Sequence, residues 1–258
     1  MLLERVLEKT RAWLIAHADE AAGVDAERAF AALVERRGKG EPIAYILGER
    51  EFYGLELGVT PAVLIPRPET ELLVELALAR MPENAAMRVL DLGTGSGAIA
   101  VALAKERPQA RLTAVDVDYA AISAARANAK RHRVSVRFFC GDWFGALSGE
   151  MFDLIVSNPP YVAAADPHLA MGDVRFEPRR ALIGGADGLD CIRAIIAKAG
   201  AHLQPGAWLL FEHGYDQAET CRALLQARGY RQVQSWPDLA GIPRVSGGKR
   251  AAQNDIRQ

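Results

Sequence analysis

Apolar residues recur at helical spacing from the start of the chain. Leu3, Val6, Leu7, Trp13 and Leu14 fall close to a 3.6-residue period. Asp25 is placed to cap a second helix, which carries Phe30, Leu33 and Val34 and stops near Gly38. Pro42 suits the first turn of another, with Ile43, Ile46 and Leu47 on it and Gly48 as its stop. The period then changes. Leu55, Leu57 and Val59 alternate with other residues, Thr60-Pro61 signals a turn, and Val63, Leu64 and Ile65 follow, which predicts a β-hairpin. Pro66 and Pro68 stiffen the exit on either side of Arg67. Glu69 and Glu71 then open a helix in its first turn, where acids favour the helix dipole.

From residue 88 the pattern reads strand, helix, strand, helix. Strands are expected at Arg88–Leu92, Leu112–Val115, Val134–Phe139, Phe152–Val156 and Ala207–Phe211. Helices are expected at Ala98–Lys105, Ala120–Lys130, Ile192–His202 and Gln217–Arg228. Such alternation predicts an α/β fold, a mostly parallel sheet covered by helices on both faces. The segment 244–250 is less apolar than a last strand should be, and 251–258 is expected to be a disordered tail. The lobes divide between residues 50 and 70. This gives a helical lobe over 1–50, a hairpin linker over 51–70 and the sheet domain over 71–250.

Composition narrows the functional classes. The 258 residues are half hydrophobic, enough for a sizeable core. Thirty-one Lys and Arg against 32 Asp and Glu leave a net charge of -1, so no general basic excess draws the chain to nucleic acid or an anionic membrane. The local exception, Lys130-Arg131-His132-Arg133, also reads as the solvated basic end of a helix. Three scattered cysteines without a C-x-x-C pair suit reduced thiols in the cytoplasm, and the five histidines lack metal-ligand spacing. The N-terminus mixes acids and bases, unlike a targeting peptide, and no stretch approaches the ~20 apolar residues of a membrane span.

Two segments carry chemistry. In Asp91-Leu92-Gly93-Thr94-Gly95-Ser96-Gly97 a strand ends in an acid and alternating glycines, then a helix begins. Ligands of open α/β sheets bind at such strand ends, and glycines let the backbone turn sharply and approach them. Asp116 ends the next strand, where a carboxylate can accept from both hydroxyls of a ribose. The spacing is G-x-G-x-G rather than the dinucleotide G-x-G-x-x-G. The sign of Asp91 suits the ammonium end of S-adenosylmethionine better than a pyrophosphate. A tight turn without ligand is the plainer alternative for the loop alone. After the third strand, Asp142 can accept from an adenine amino group and Trp143 can pack on its ring, or Trp143 is a half-buried core residue.

The second segment, Ser157-Asn158-Pro159-Pro160-Tyr161, follows the fourth strand of the sheet. A planar NH2 on a π system is a poor nucleophile because its lone pair is delocalised. Acceptors that hold both N–H groups can aim that nitrogen at a methyl donor. The Asn158 side-chain oxygen offers one and the Pro159 carbonyl the other, while Pro159 and Pro160 stiffen the loop. Tyr161 places a ring face beside the reacting groups, where it can attract a sulfonium by ~0.5–2 kcal/mol.

Together these motifs resemble the amino-group methyltransferases, which act on adenine N6 in nucleic acid or on protein glutamine. Further segments are similar to the release factor glutamine methyltransferase family: Glu41–Tyr45, Phe52–Leu55, Leu64–Glu71, Asp173–Pro178 and Glu212–Tyr215. The resemblance covers nearly the whole chain, though it implies a helical lobe one or two helices longer at its start. It implies a Rossmann-like sheet binding S-adenosylmethionine, with a small N-terminal helical lobe joined through a β-hairpin. The implied reaction is methylation of N5 of the glutamine in the Gly-Gly-Gln loop of class I peptide-chain release factors, with the helical lobe contacting the factor. Carried over by position, Asp91, Leu92, Gly93, Thr94, Gly95, Gly97, Asp116, Trp143 and Asn158 line the cofactor site. Asn158, Pro159, Pro160 and Tyr161 hold the glutamine. Arg67 and Glu71 approach the active site, where they are expected to order the N-P-P-Y loop through charge-assisted hydrogen bonds or else join the lobes as a surface pair. The alternatives are an adenine-N6 methyltransferase, a methyltransferase of a large-subunit ribosomal protein, and a non-catalytic adaptor for a release factor or ribosome.

Overall fold

A computed structural model describes residues 1–252. It opens with four helices: α1 (Leu2–Leu7), α2 (Arg11–Ala16), α3 (Val24–Gly38) and α4 (Ile43–Leu47). α1 and α2 separate where Glu8 turns left-handed at φ 52°, and Thr10 Oγ1 then caps α2 by accepting from the Trp13 amide. The cap expected of Asp25 is not made. Gly23 begins α3 and Asp25 lies within its first turn, its charge still favourable to the dipole.

The hairpin sits one strand earlier than the alternation implied. β1 (Glu49–Phe52) pairs with β2 (Leu55–Gly58), and Tyr53 and Gly54 make the turn. Both have positive φ, 52° and 71°, which matches a two-residue turn of the type that fits the twist of a hairpin. The segment Val63–Ile65 is instead an extended linker. Val63 and Ile65 bury their side chains with Tyr45, Val59 and Ala121, and the Tyr45 hydroxyl donates to the Val63 carbonyl at 2.6 Å. A 3-10 turn, Pro68–Thr70, leads into α5 (Glu71–Leu78).

The remaining elements are β3 (Arg88–Leu92), α6 (Ala98–Glu106), β4 (Arg111–Asp116), α7 (Tyr119–Arg131), β5 (Val136–Cys140), β6 (Phe152–Ser157), α8 (Asp190–Ala199), β7 (Leu203–Glu212), α9 (Ala218–Ala227), β8 (Arg231–Pro237) and β9 (Pro243–Lys249). Seven strands form one sheet in the order β5-β4-β3-β6-β7-β9-β8. The first five run parallel, while β9 pairs antiparallel with both β7 and β8. Leu73, Val74 and Leu103 belong to one buried cluster, and Ile192, Ile195 and Leu225 belong to another. Each such side chain contributes about 1.5–3 kcal/mol by leaving water. Among the described residues no helix is long and apolar enough to cross a membrane.

The low apolarity of 244–250 was misleading. This segment is β9, enclosed between two strands, with Val245 through Gly248 buried. A Cβ at Gly247 would lie 2.5 Å from the Leu209 carbonyl oxygen, so the close approach excludes a larger residue there. Ser246 is polar because its hydroxyl bonds to Nε2 of His213, buried on the neighbouring strand end. Most of the expected disordered tail, residues 253–258, lies outside the described residues.

Strand order reverses between β3 and β6, since the chain leaves β3 towards β4 on one side and returns to pair β6 on the other. The crevice beyond those two carboxyl ends is where such sheets bind ligands. One side chain joins this crevice to the hairpin. Asn128, buried on α7, donates to the Gly58 and Ser96 carbonyls and accepts from the Gly58 amide.

Candidate active site

β3 delivers its chain into the crevice through Gly93, Gly95 and Gly97, all at positive φ (71°, 55° and 83°). Gly97 also lets α7 approach: an added Cβ would meet that of Ala125 at 3.0 Å. Trp143 leans its ring over Gly93 and is itself left-handed at φ 47°. A large residue held there costs of order 1–3 kcal/mol, which the surrounding packing must offset.

A cavity of about 270 Å³ lies along this loop. Gly93, Thr94, Gly95, Asp116, Asp142, Trp143, Asn158 and Pro160 line it, so most of the expected site residues meet in one place. A further wall comes from the linker, through Ala62, Val63, Leu64 and Pro66, and Thr70 also lines the cavity. At the rim Arg180 pairs with Asp118 at 3.1 Å.

The Asp116 carboxylate is organised by the loop. Its Oδ2 accepts from the Gly95 amide and its Oδ1 from the Asp118 amide, both at 2.9 Å. Each oxygen keeps a lone pair for another donor. Burial raises the Asp116 pKa, and the two amides oppose that rise. Asp91 is placed differently: with Leu92 and Gly97, it lies behind the cavity lining. It is wholly buried, and burial pushes its pKa up to about 7 against the pull of the Thr94 hydroxyl and the Ala100 amide. Its Oδ2 accepts from Thr94 Oγ1 at 2.6 Å, while Oδ1 is buried with no hydrogen-bond partner among the described residues.

These groups fit a nucleoside cofactor with a cationic amino-acid end. A half-satisfied carboxylate stands where ribose hydroxyls can donate. An aromatic face lies over the glycine turn, and behind it sits a buried acid oxygen with no partner among the described residues. Cys191 also lines the cavity, but burial raises its thiol pKa and it supplies bulk rather than a nucleophile.

β6 delivers Asn158. Its Nδ2 donates to Thr70 Oγ1 at 3.1 Å, and its Oδ1 accepts no hydrogen bond among the described residues. The Pro159 carbonyl likewise accepts none among them. Pro159 and Tyr161 stand behind the lining residues. The Tyr161 hydroxyl donates to Glu212 Oε1 at 3.0 Å, and its pKa is raised, first by burial and then by the Glu212 charge.

The expectation for Arg67 and Glu71 needs correction. Arg67 pairs with the buried Glu177, which also accepts from the Ile65 amide. Glu71 Oε1 accepts from the Tyr53 amide at 2.9 Å. Both charges tie the linker down, and it is Thr70, lying between them, that bonds to the N-P-P-Y loop. Sequence reasoning also missed the support behind the loop. A Cβ on Gly184 would lie 2.5 Å from the Pro160 carbonyl oxygen, and one on Gly188 would lie 2.2 Å from that of Tyr161. Gln217 Nε2 donates to the same Tyr161 carbonyl at 3.0 Å. The available signal was an acid, Glu212, closing an apolar strand.

Two family descriptions match the chain: "Methyltransferase small domain" over residues 69–176 and "PrmC N-terminal domain" over residues 1–48. The release factor glutamine methyltransferase of Bordetella pertussis (strain Tohama I) is 54% identical over 249 residues, covering 96% of this chain and 92% of that protein. The protein of the same name from Xylella fastidiosa (strain Temecula1) is 51% identical, covering 96% and 90%. Among solved structures, a methyltransferase from Pyrococcus furiosus superposes with a TM-score of 0.60 at 20% identity, covering 86% of this chain and 99% of that one. That degree of identity shows the fold alone. Identity above half over 96% of the residues shows more: the chain belongs to the release factor glutamine methyltransferase family.

Proposed function

We propose that the protein transfers a methyl group from S-adenosylmethionine to N5 of the glutamine in the Gly-Gly-Gln loop of class I peptide-chain release factors. One observation carries the reading. The Asn158 amide presents its oxygen, with no internal donor among the described residues, at a cavity whose lining fits a nucleoside cofactor. The names of the relatives supply the acceptor class.

Asp116 would hold the ribose, Trp143 and Asp142 would take the adenine, and Gly93 to Gly95 would receive the amino-acid end, with Asp91 behind them. When bound, the cofactor supplies an electrophilic methyl on a sulfonium. Asn158 Oδ1 and the Pro159 carbonyl each accept one N–H of the glutamine amide, which fixes the plane and direction of its nitrogen. Alignment of this kind can be worth ~7–11 kcal/mol. The nitrogen gains a carbon, the sulfur keeps the bonding pair, and the surplus proton leaves a nitrogen that alkylation has made acidic, so no strong base is required. The helical lobe contacts the factor, held to the sheet domain by the Arg37–Asp173 pair and by Arg175, which donates to the Lys39 carbonyl.

The test is mass spectrometry of a release factor incubated with enzyme and cofactor. One methyl group on the Gly-Gly-Gln peptide is expected. An unmodified peptide, with the label instead in DNA or a ribosomal protein, refutes the assignment.

A further inference from the structure

The buried carboxylate that ends β7 is unexplained by cofactor or substrate contacts. Glu212 is 1% exposed, and each of its oxygens accepts a hydroxyl proton: Oε2 from Thr70 at 2.7 Å and Oε1 from Tyr161 at 3.0 Å. A hydroxyl has one proton to give. With that of Thr70 committed to Glu212, its oxygen can only accept. The neighbouring Asn158 must therefore turn its NH2 towards Thr70, as the 3.1 Å contact shows. The amide is planar, so its oxygen points the other way.

We propose that Thr70 and Glu212 are positioning residues that set the flip state of the Asn158 amide and so present an acceptor, rather than a donor, to the reacting nitrogen. This rests on the functional reading above, in which the acceptor group is an amide NH2. In the opposite flip state two NH2 groups face each other and the substrate nitrogen has nothing to hold its protons. Glu212 acts from two hydrogen bonds away, and Tyr161 completes its coordination while anchoring the end of the same loop. The geometry gives the strand-end acid a role without any proton transfer.

The test compares Thr70→Val, nearly isosteric but without a hydroxyl, with Thr70→Ser, each made alone and with Asn158→Ala. Single-turnover transfer to a release factor is expected to slow by about tenfold or more in Thr70→Val, the worth of one committed hydrogen bond. The KM for the factor and the Kd for the cofactor should stay within about twofold, and Thr70→Ser should recover the rate. In the Asn158→Ala background Thr70→Val should add nothing, because the group it orients is gone. A Thr70→Val rate within twofold of the parent overturns the proposal, as does a loss that multiplies with that of Asn158→Ala. Thr70→Ala serves should the valine variant fail to fold. The side-chain amide resonances of Asn158, assigned by their disappearance in Asn158→Ala, give a readout free of substrate. They should move in Thr70→Val and return in Thr70→Ser, and fixed resonances overturn the proposal. A parent enzyme that leaves the factor unmethylated refutes the functional reading instead.

Discussion

Asparagine in place of Asp116 keeps size and shape and changes one oxygen to NH2. Both oxygens of Asp116 already accept a backbone amide, from Gly95 and from Asp118. Whichever way the new amide turns, its NH2 faces one of those N–H groups, donor against donor. An N–H left unsatisfied costs about 1–3 kcal/mol, and a ribose hydrogen bond to a charged acceptor is worth about 1.5–3 kcal/mol. Asp116 is only partly buried, so the lower part of each range applies. Asp116→Asn should therefore weaken cofactor binding by about 1.5–2 kcal/mol, roughly 10- to 30-fold. The first cost is present without ligand and should appear as a lower melting temperature of the free protein. The second appears only on binding. Calorimetric titration with S-adenosylhomocysteine, paired with thermal melts, separates them. An affinity within threefold of the parent removes Asp116 from the cofactor site, and an unchanged melt removes the claim that the two amides need a carboxylate.

Asn158→Ala should lower kcat and kcat/KM together by about 10²-fold or more, as expected when an interaction of the transition state is lost, with cofactor affinity little changed; single-turnover transfer beside calorimetry checks this. Gly188→Ala puts a methyl against the Tyr161 carbonyl at positive φ and should cost about 2–4 kcal/mol by chemical denaturation. Gly229→Ala has a similar φ but nothing within 4 Å of the added carbon, and should cost only about 1–2 kcal/mol; equal costs for the two refute the close packing behind the loop. His213 is buried, and its Nδ1–H is engaged by the Gly214 carbonyl while its Nε2 bonds to the Ser246 hydroxyl. Burial lowers its pKa from the ordinary value of 6.5, so the unfolded chain takes up the proton first as pH falls. Parent protein should therefore lose stability relative to His213→Gln as pH drops below about 6.5; a gap between the two that stays constant from pH 7.5 to 5.5 contradicts the neutral imidazole.

The glycine loop, Asp116 and the N-P-P-Y segment were legible because each is local. A strand end, a turn and the residues that follow are contiguous, and their chemistry can be read along the chain. The groups that orient them were not. Thr70 and Glu212 meet across 142 residues, and Asn128 reaches Gly58 across 70. A buried Thr in a turn and an Asn in an alanine-rich helix carry no local mark of their partners. The hairpin was misplaced for a related reason, since Tyr53 in a left-handed turn has no compositional signature. β9 was undervalued because its Ser and Gly residues answer to neighbouring strands rather than to the solvent alternation that usually marks one.

The wall formed by Ala62, Val63, Leu64 and Pro66 makes the cavity beside the glycine loop a joint product of two parts of the chain. The helical lobe together with its linker is therefore no interchangeable cartridge. On the function proposed above, a chimera that exchanges residues 1–70 for another module replaces both the surface that meets the factor and a face of the cavity that receives the methyl donor. Cofactor affinity and acceptor choice should then change together, and drift in the linker that follows a new partner is constrained by the need to keep that pocket closed. New specificity is most accessible through the exposed surfaces of α1 to α3, which bury no residue fully and can vary without touching the wall.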